Sequence, residues 1–133
     1  MPVDLQEARL VEGFETVLEN IHALQSASLQ SWASDLLSHS EQLCSGLLEY
    51  LKSTTLSDEK SSWGNNRFDA LLKKIKGILW DQGMHDICEE ISFIRNIDTK
   101  YSAPEELWLR KMYELLLSIT RTVGNWGRLN KSA

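Results

Sequence analysis

The chain has 133 residues, 42% of them hydrophobic and 25% charged, with a formal net charge of −5. That length fits one domain, 1–133, able to bury a core without staples, and the composition excludes a chain disordered throughout. Abundant leucine, only four valines and two prolines favour helix over sheet. The charge is uneven: residues 1–50 hold one basic side chain, Arg9, against eight acidic ones, and the remainder is slightly basic. An acidic first half speaks against nucleic acid as its partner.

The first predicted helix opens at Asp4, where Asp4 and Glu7 form a capping-box pattern, with Val3 and Ala8 placed as a staple. Val11, Phe14, Leu18 and Ile21 make its stripe, flanked by Leu10, Val17 and Leu24. A stripe this wide predicts contact with two neighbouring helices. The polar run Gln25–Ser28 ends it. The second helix spans 29–52, and Leu29, Ala33, Leu36, Ser40, Leu43, Leu47 and Tyr50 alternate at spacings of three and four with one polar lapse. Gly13 and Gly46 lie inside these helices, where each costs on the order of 1 kcal/mol relative to alanine; close helix approach is the expected reason. A polar loop follows, about 53–65, containing Trp63.

The third helix starts near Asn66 with Asp69 in its first turn, runs along Phe68, Leu72, Ile75 and Leu79, and stops at Gly83. The fourth is short, with Met84, Ile87, Ile91 and Ile94 facing the core and Cys88 beside them. A turn spans 96–101. The fifth opens on the capping box Ser102–Glu105 with Pro104 in its first turn. Its seam, Leu109, Met112, Leu116, Ile119, Val123 and Trp126, keeps the coiled-coil-like alternation 3, 4, 3, 4, 3. It is expected to run to about Val123 and fray through Gly124 and Gly127. The fold class is therefore all-α: an antiparallel bundle of about five helices, three of them long.

Chemistry is sparse. Glu19 and His22 form a single Glu-x-x-His pair, and His39 stands on the next helix; a di-iron bundle needs two such pairs with further inward glutamates. A metal- or small-molecule-binding bundle built on Glu19, His22 and His39 is thus the second reading. Lys73, Lys74 and Lys76, with Arg110, Lys111, Arg121, Arg128 and Lys131, offer a basic face to phosphates as a third; the basic last helix lying against the acidic first is the internal alternative. No nucleophile elbow or glycine-rich phosphate loop is present, and Cys44 and Cys88 fall at apolar helix positions where thiols are inert.

Asn125-Trp126-Gly127-Arg128 resembles the signature of the first homology box of Bcl-2-like apoptosis regulators. The resemblance covers these four residues and implies a groove in which Arg128 helps to capture an amphipathic helix. Members of that family continue into a central hydrophobic hairpin, whereas this sequence ends at Ala133, and no death-helix pattern with its Leu and Asp precedes the tetrapeptide.

The function expected by elimination is a non-catalytic protein-interaction module: an adaptor, a complex subunit or an inhibitor-like regulator that works by helix docking. No cofactor or metal is implied. The expected contact residues are Trp63, Trp108, Trp80, Trp126 and Arg128, with Trp32 assigned to the core. The partner is another protein, a homodimer being one form. No apolar stretch approaches the roughly 20 residues that span a bilayer. No signal peptide or lipidation pattern is visible, and a reducing compartment, cytoplasmic or nuclear, is expected.

Overall fold

The computed structural model describes residues 5–53, 66–97 and 104–129. They form α1 (Leu5–Gln25), α2 (Ser31–Ser53), α3 (Asn66–Asp81), α4 (His85–Arg95) and α5 (Pro104–Thr122), the last continued by a π-helical turn, Val123–Gly127. The capping box at Asp4, the loop with Trp63 and the capping box at Ser102 lie outside the described residues.

Each helix packs on the next, α5 closes the ring on α1, and α2 also reaches α5. Consecutive helices are antiparallel. Phe14 meets Cys44 while His22 meets Glu41, and Asp69 meets Arg95 while Lys76 meets Ser92. An up-and-down ring with an odd number of rods must close on one parallel pair. Here that pair is α1 and α5: Arg9 and Leu10 share a cleft with Glu106 and Arg110, and Asn20 and Leu24 share one with Leu117 and Arg121. The acidic first helix thus lies beside α5, whose three acidic and three basic side chains balance, and an apolar contact joins them: Phe14 meets Tyr113 edge to face at 5.6 Å.

The two long seams behave as their spacing demands. Ala33, Leu36, Ser40, Leu43, Leu47 and Tyr50 of α2 are all buried, as are Leu109, Met112, Leu116, Ile119 and Val123. Ser40, the polar lapse, donates its hydroxyl to the Leu36 carbonyl at 2.7 Å, so no buried hydrogen-bonding group is left open on that side chain. On α1 the buried centre is Phe14, Val17 and Ile21; Leu10, Val11, Leu18 and Leu24 are the half-buried margins. That shift by a few positions follows from α1 sitting in the crevice between α2 and α5.

The glycines explain two close approaches. A Cβ on Gly13 would lie 2.8 Å from the Tyr113 ring, and one on Gly46 would lie 3.0 Å from the Phe68 ring. Gly83 has φ +77°, and the amides of Gly83 and Met84 donate to Trp80 and Leu79 carbonyls at 2.9 and 3.0 Å. Those paired bonds are a Schellman termination, which turns the chain from α3 into α4 within a few residues. Gly77, by contrast, has nothing within 4 Å of its missing Cβ. Gly77→Ala is expected to stabilise the chain by about 0.5–1 kcal/mol, read as a higher urea midpoint; a lower midpoint would contradict the open surroundings.

Between α3 and α4, Arg95 donates to Asp69 at 2.7 Å and Lys73 lies 3.5 Å from the same carboxylate. The Arg95 hydrogen bond is the main cause that holds the Asp69 carboxyl below its ordinary value. A lowered folded pKa stabilises above the unfolded carboxyl value and loses that contribution as pH falls through the folded one. Because the pair is partly exposed, Asp69→Asn should cost at most about 1 kcal/mol at neutral pH and should flatten the acid limb of the stability–pH curve. An unchanged acid limb would remove this pair from the account.

Candidate protein-docking surface

The four tryptophans among the described residues part ways. Trp108, expected at a contact surface, is only 2% exposed. It meets Phe68 at 5.3 Å and Tyr50 at 6.2 Å, edge on, and so knits α2, α3 and α5 together at one end of the ring. It belongs to the core because α5 is apolar over a face wider than its seam: Trp108 stands four residues before Met112 and seven before Leu115, both fully buried. Trp32, assigned to the core, is half-buried, and its indole donates to the Gln30 side-chain oxygen at 3.2 Å.

Trp126, the last residue of the α5 seam, is 68% exposed. The helix does not fray there. It widens into the π-turn, which rotates everything beyond Val123 out of the α-helical register. Val123 and Gly127 stay inside while Trp126 swings to the surface. The turn is pinned to the α1–α2 connection. The Gln30 amide donates to the Gly127 carbonyl at 2.8 Å, and the Leu129 amide donates to the Ser28 carbonyl at 2.9 Å. The Gln30 side chain donates to the Trp126 carbonyl at 2.9 Å. The tetrapeptide Asn125–Arg128 therefore closes the end of the bundle with its backbone, and Arg128 is extended and exposed in an isolated bridge opposite Leu29.

Trp80, at the end of α3, is 56% exposed and stacks on His85 with ring centroids 4.2 Å apart. His85 and Trp126 both line a cleft of about 440 Å³ with Met84, Asp86, Ile87 and Thr122. At Asp86 this cleft meets a longer groove of about 680 Å³ between α4 and α5. Phe93, 39% exposed, lies along that groove with Lys111 positioned 5.9 Å from its ring centre. His85 and Trp126 thus border the cleft, Phe93 borders the adjoining groove, and Trp80 reaches the cleft through its stack on His85. Phe93 carried a signal that sequence reasoning missed: it breaks the core spacing of α4 and lies two residues after Ile91, on the opposite side of the helix.

The other candidate chemistries are not assembled. His22 lies 3.5 Å from Glu41 on the bundle surface, and Glu19 is exposed. His39 keeps a buried Nδ1 without a hydrogen bond among the described residues. Among those residues, no three His, Cys, Asp or Glu side chains gather as a metal site. Of the lysine cluster, Lys73 and Lys74 are exposed, Lys73 pairing with Asp69, while Lys76 is half-buried and donates to Ser92 at 2.8 Å. Cys44 and Cys88 are free, buried thiols donating to the Phe14 and Lys76 carbonyls at 3.2 and 3.4 Å. Burial pushes the Cys44 thiol up to about 12 and raises that of Cys88, Lys76 opposing. Both shifts run against nucleophile activation. Ellman's reagent should therefore label neither thiol in the native state at pH 8 and both on unfolding; rapid native labelling of Cys44 would contradict its burial.

Among the described residues, these observations define an all-α five-helix bundle with a groove along α4 and α5 bordered by Phe93. Comparisons with protein-family models, with curated proteins and with solved structures return no match. Among the described residues, no helix is long and apolar enough to cross a membrane.

Proposed function

We propose that this chain is a non-catalytic protein-interaction module, an adaptor, complex subunit or inhibitor-like regulator, that docks a helix of another protein in the α4–α5 groove. One observation carries the reading. Of the large apolar side chains exposed on the described surface, Phe93 lines this groove, Trp126 lines the cleft that adjoins it at Asp86, Trp80 stacks on the cleft residue His85, and the fourth, Leu129, follows close behind Trp126 in sequence. Exposed aromatics grouped on a concave surface are the usual anchors of protein contacts. The raised thiol pKa values speak against either cysteine as a nucleophile, and free thiols suit a reducing compartment, cytoplasmic or nuclear.

The test is affinity capture from the cell that makes the protein, with the wild type and with the double variant Phe93→Ala/Trp126→Ala. The variant should keep its far-ultraviolet dichroism and lose the captured partner. Capture undiminished in a folded double variant would defeat the proposal.

A further inference from the structure

The walls of the groove are each one helical stripe. Asp86, Glu89, Glu90 and Phe93 follow i, i+3, i+4 and i+7 along α4, and Lys111, Glu114, Ser118 and Arg121 run along α5 opposite. Counting the lining side chains, four carboxylates face two cations. One of those cations, Lys111, already lies 3.4 Å from Glu114. Asp86, Glu89 and Glu90 form no ion pair among the described residues. The groove thus joins exposed aromatic surface to a net acidic wall whose carboxylates on α4 span about one helical turn.

We infer that the occupant of this groove is a basic amphipathic helix: one apolar stripe resting on Phe93, Leu117 and Trp126, and Lys or Arg on the flank facing Asp86, Glu89 and Glu90. Charge decides against the nearest alternative. A second copy meeting it groove to groove would bring the same excess of carboxylates to the contact, and like charges brought face to face oppose docking. A basic flank neutralises them and speeds encounter at low salt. Arg128, in its bridge with Leu29, takes no part. The inference rests on the groove being the docking surface, and it adds the sign and the form of the partner.

The probes are two synthetic amphipathic peptides of roughly 18 residues, five helical turns, with an identical leucine stripe. One carries Lys and Arg on its flank, the other Glu at the same positions. Binding is read by fluorescence anisotropy. The basic peptide should bind at least about tenfold more tightly than its acidic twin at low salt, with the preference shrinking as salt shortens the screening length to about 3 Å near 1 M. Glu89→Lys/Glu90→Lys should abolish the preference, and Phe93→Ala/Trp126→Ala should weaken the basic peptide. Equal or tighter binding of the acidic twin, binding of neither, or a preference that survives the charge reversal overturns the basic partner. The groove itself still stands if Phe93→Ala/Trp126→Ala weakens whichever peptide binds. Binding indifferent to Phe93 and Trp126 removes groove and partner alike. Sedimentation showing that the chain pairs with itself through these residues overturns the inference in favour of a second copy.

Discussion

Replacing Trp108 by alanine is expected to destabilise the folded chain by about 3–5 kcal/mol, whereas Trp126→Ala on the same rod should change stability by less than about 0.5 kcal/mol. Trp108 is sealed between Phe68 and Tyr50, so its removal loses buried apolar area, leaves a cavity between three helices and breaks two edge-to-face contacts. Trp126 projects from the π-turn into solvent, and what holds that turn is its backbone carbonyl, which every residue keeps. Urea unfolding followed by dichroism gives both values, provided the slope with denaturant is unchanged. Similar losses for the two variants would contradict the assignment of one tryptophan to the core and the other to the surface.

The second large effect is expected at Gly127. An added Cβ would lie 2.6 Å from the Ala33 Cβ and 3.1 Å from Val123. Neither neighbour is a flexible side chain with room to swing, and Ala33 is fully buried at the start of α2. Gly127→Ala should cost about 1–3 kcal/mol by overpacking, and Gly127→Val more. Gly124→Ala, in the same turn with nothing within 4 Å, is the control. Because the turn is held by the Gln30 and Leu129 amides, the Gly127 variants should also speed hydrogen exchange at those two positions before the rest of the bundle. Exchange that rises uniformly, or a neutral Gly127→Ala, would show that the clasp does not anchor the end of the bundle.

How much of this was legible beforehand depends on the kind of signal. Periodicity placed the helices to within a few residues, because an apolar stripe at spacings of three and four has one way to be buried. The break at Gly83 was readable for the same reason: only a left-handed residue closes α3 in this manner. The polar lapse at Ser40 was tolerable because a helix carbonyl four residues back always lies within its reach.

The π-turn was not legible. Its register change depends on Gln30 and Ser28, distant in sequence, and seam spacing alone extends the α-helix through Trp126. The burial of Trp108 was partly legible through its spacing to Met112 and Leu115, but the deciding neighbours, Tyr50 and Phe68, come from other helices. Of the expected contact residues, Trp126 lines the cleft that adjoins the groove, Trp80 stacks on His85 beside it, Arg128 stands just beyond Trp126 in the chain, and Trp63 lies outside the described residues. Glu89 and Glu90, adjacent in sequence, line the same wall because neighbouring positions on the outer face of α4 can both border a wide groove.

The most direct measurement of the central claim is site-specific photocrosslinking in the cell. A photoreactive phenylalanine analogue would be placed at Phe93, at Trp126, and at Glu49, an exposed control position on α2. The account predicts a discrete adduct with one protein from positions 93 and 126 and none from 49. The same adduct from all three positions, or from 49 alone, would contradict it.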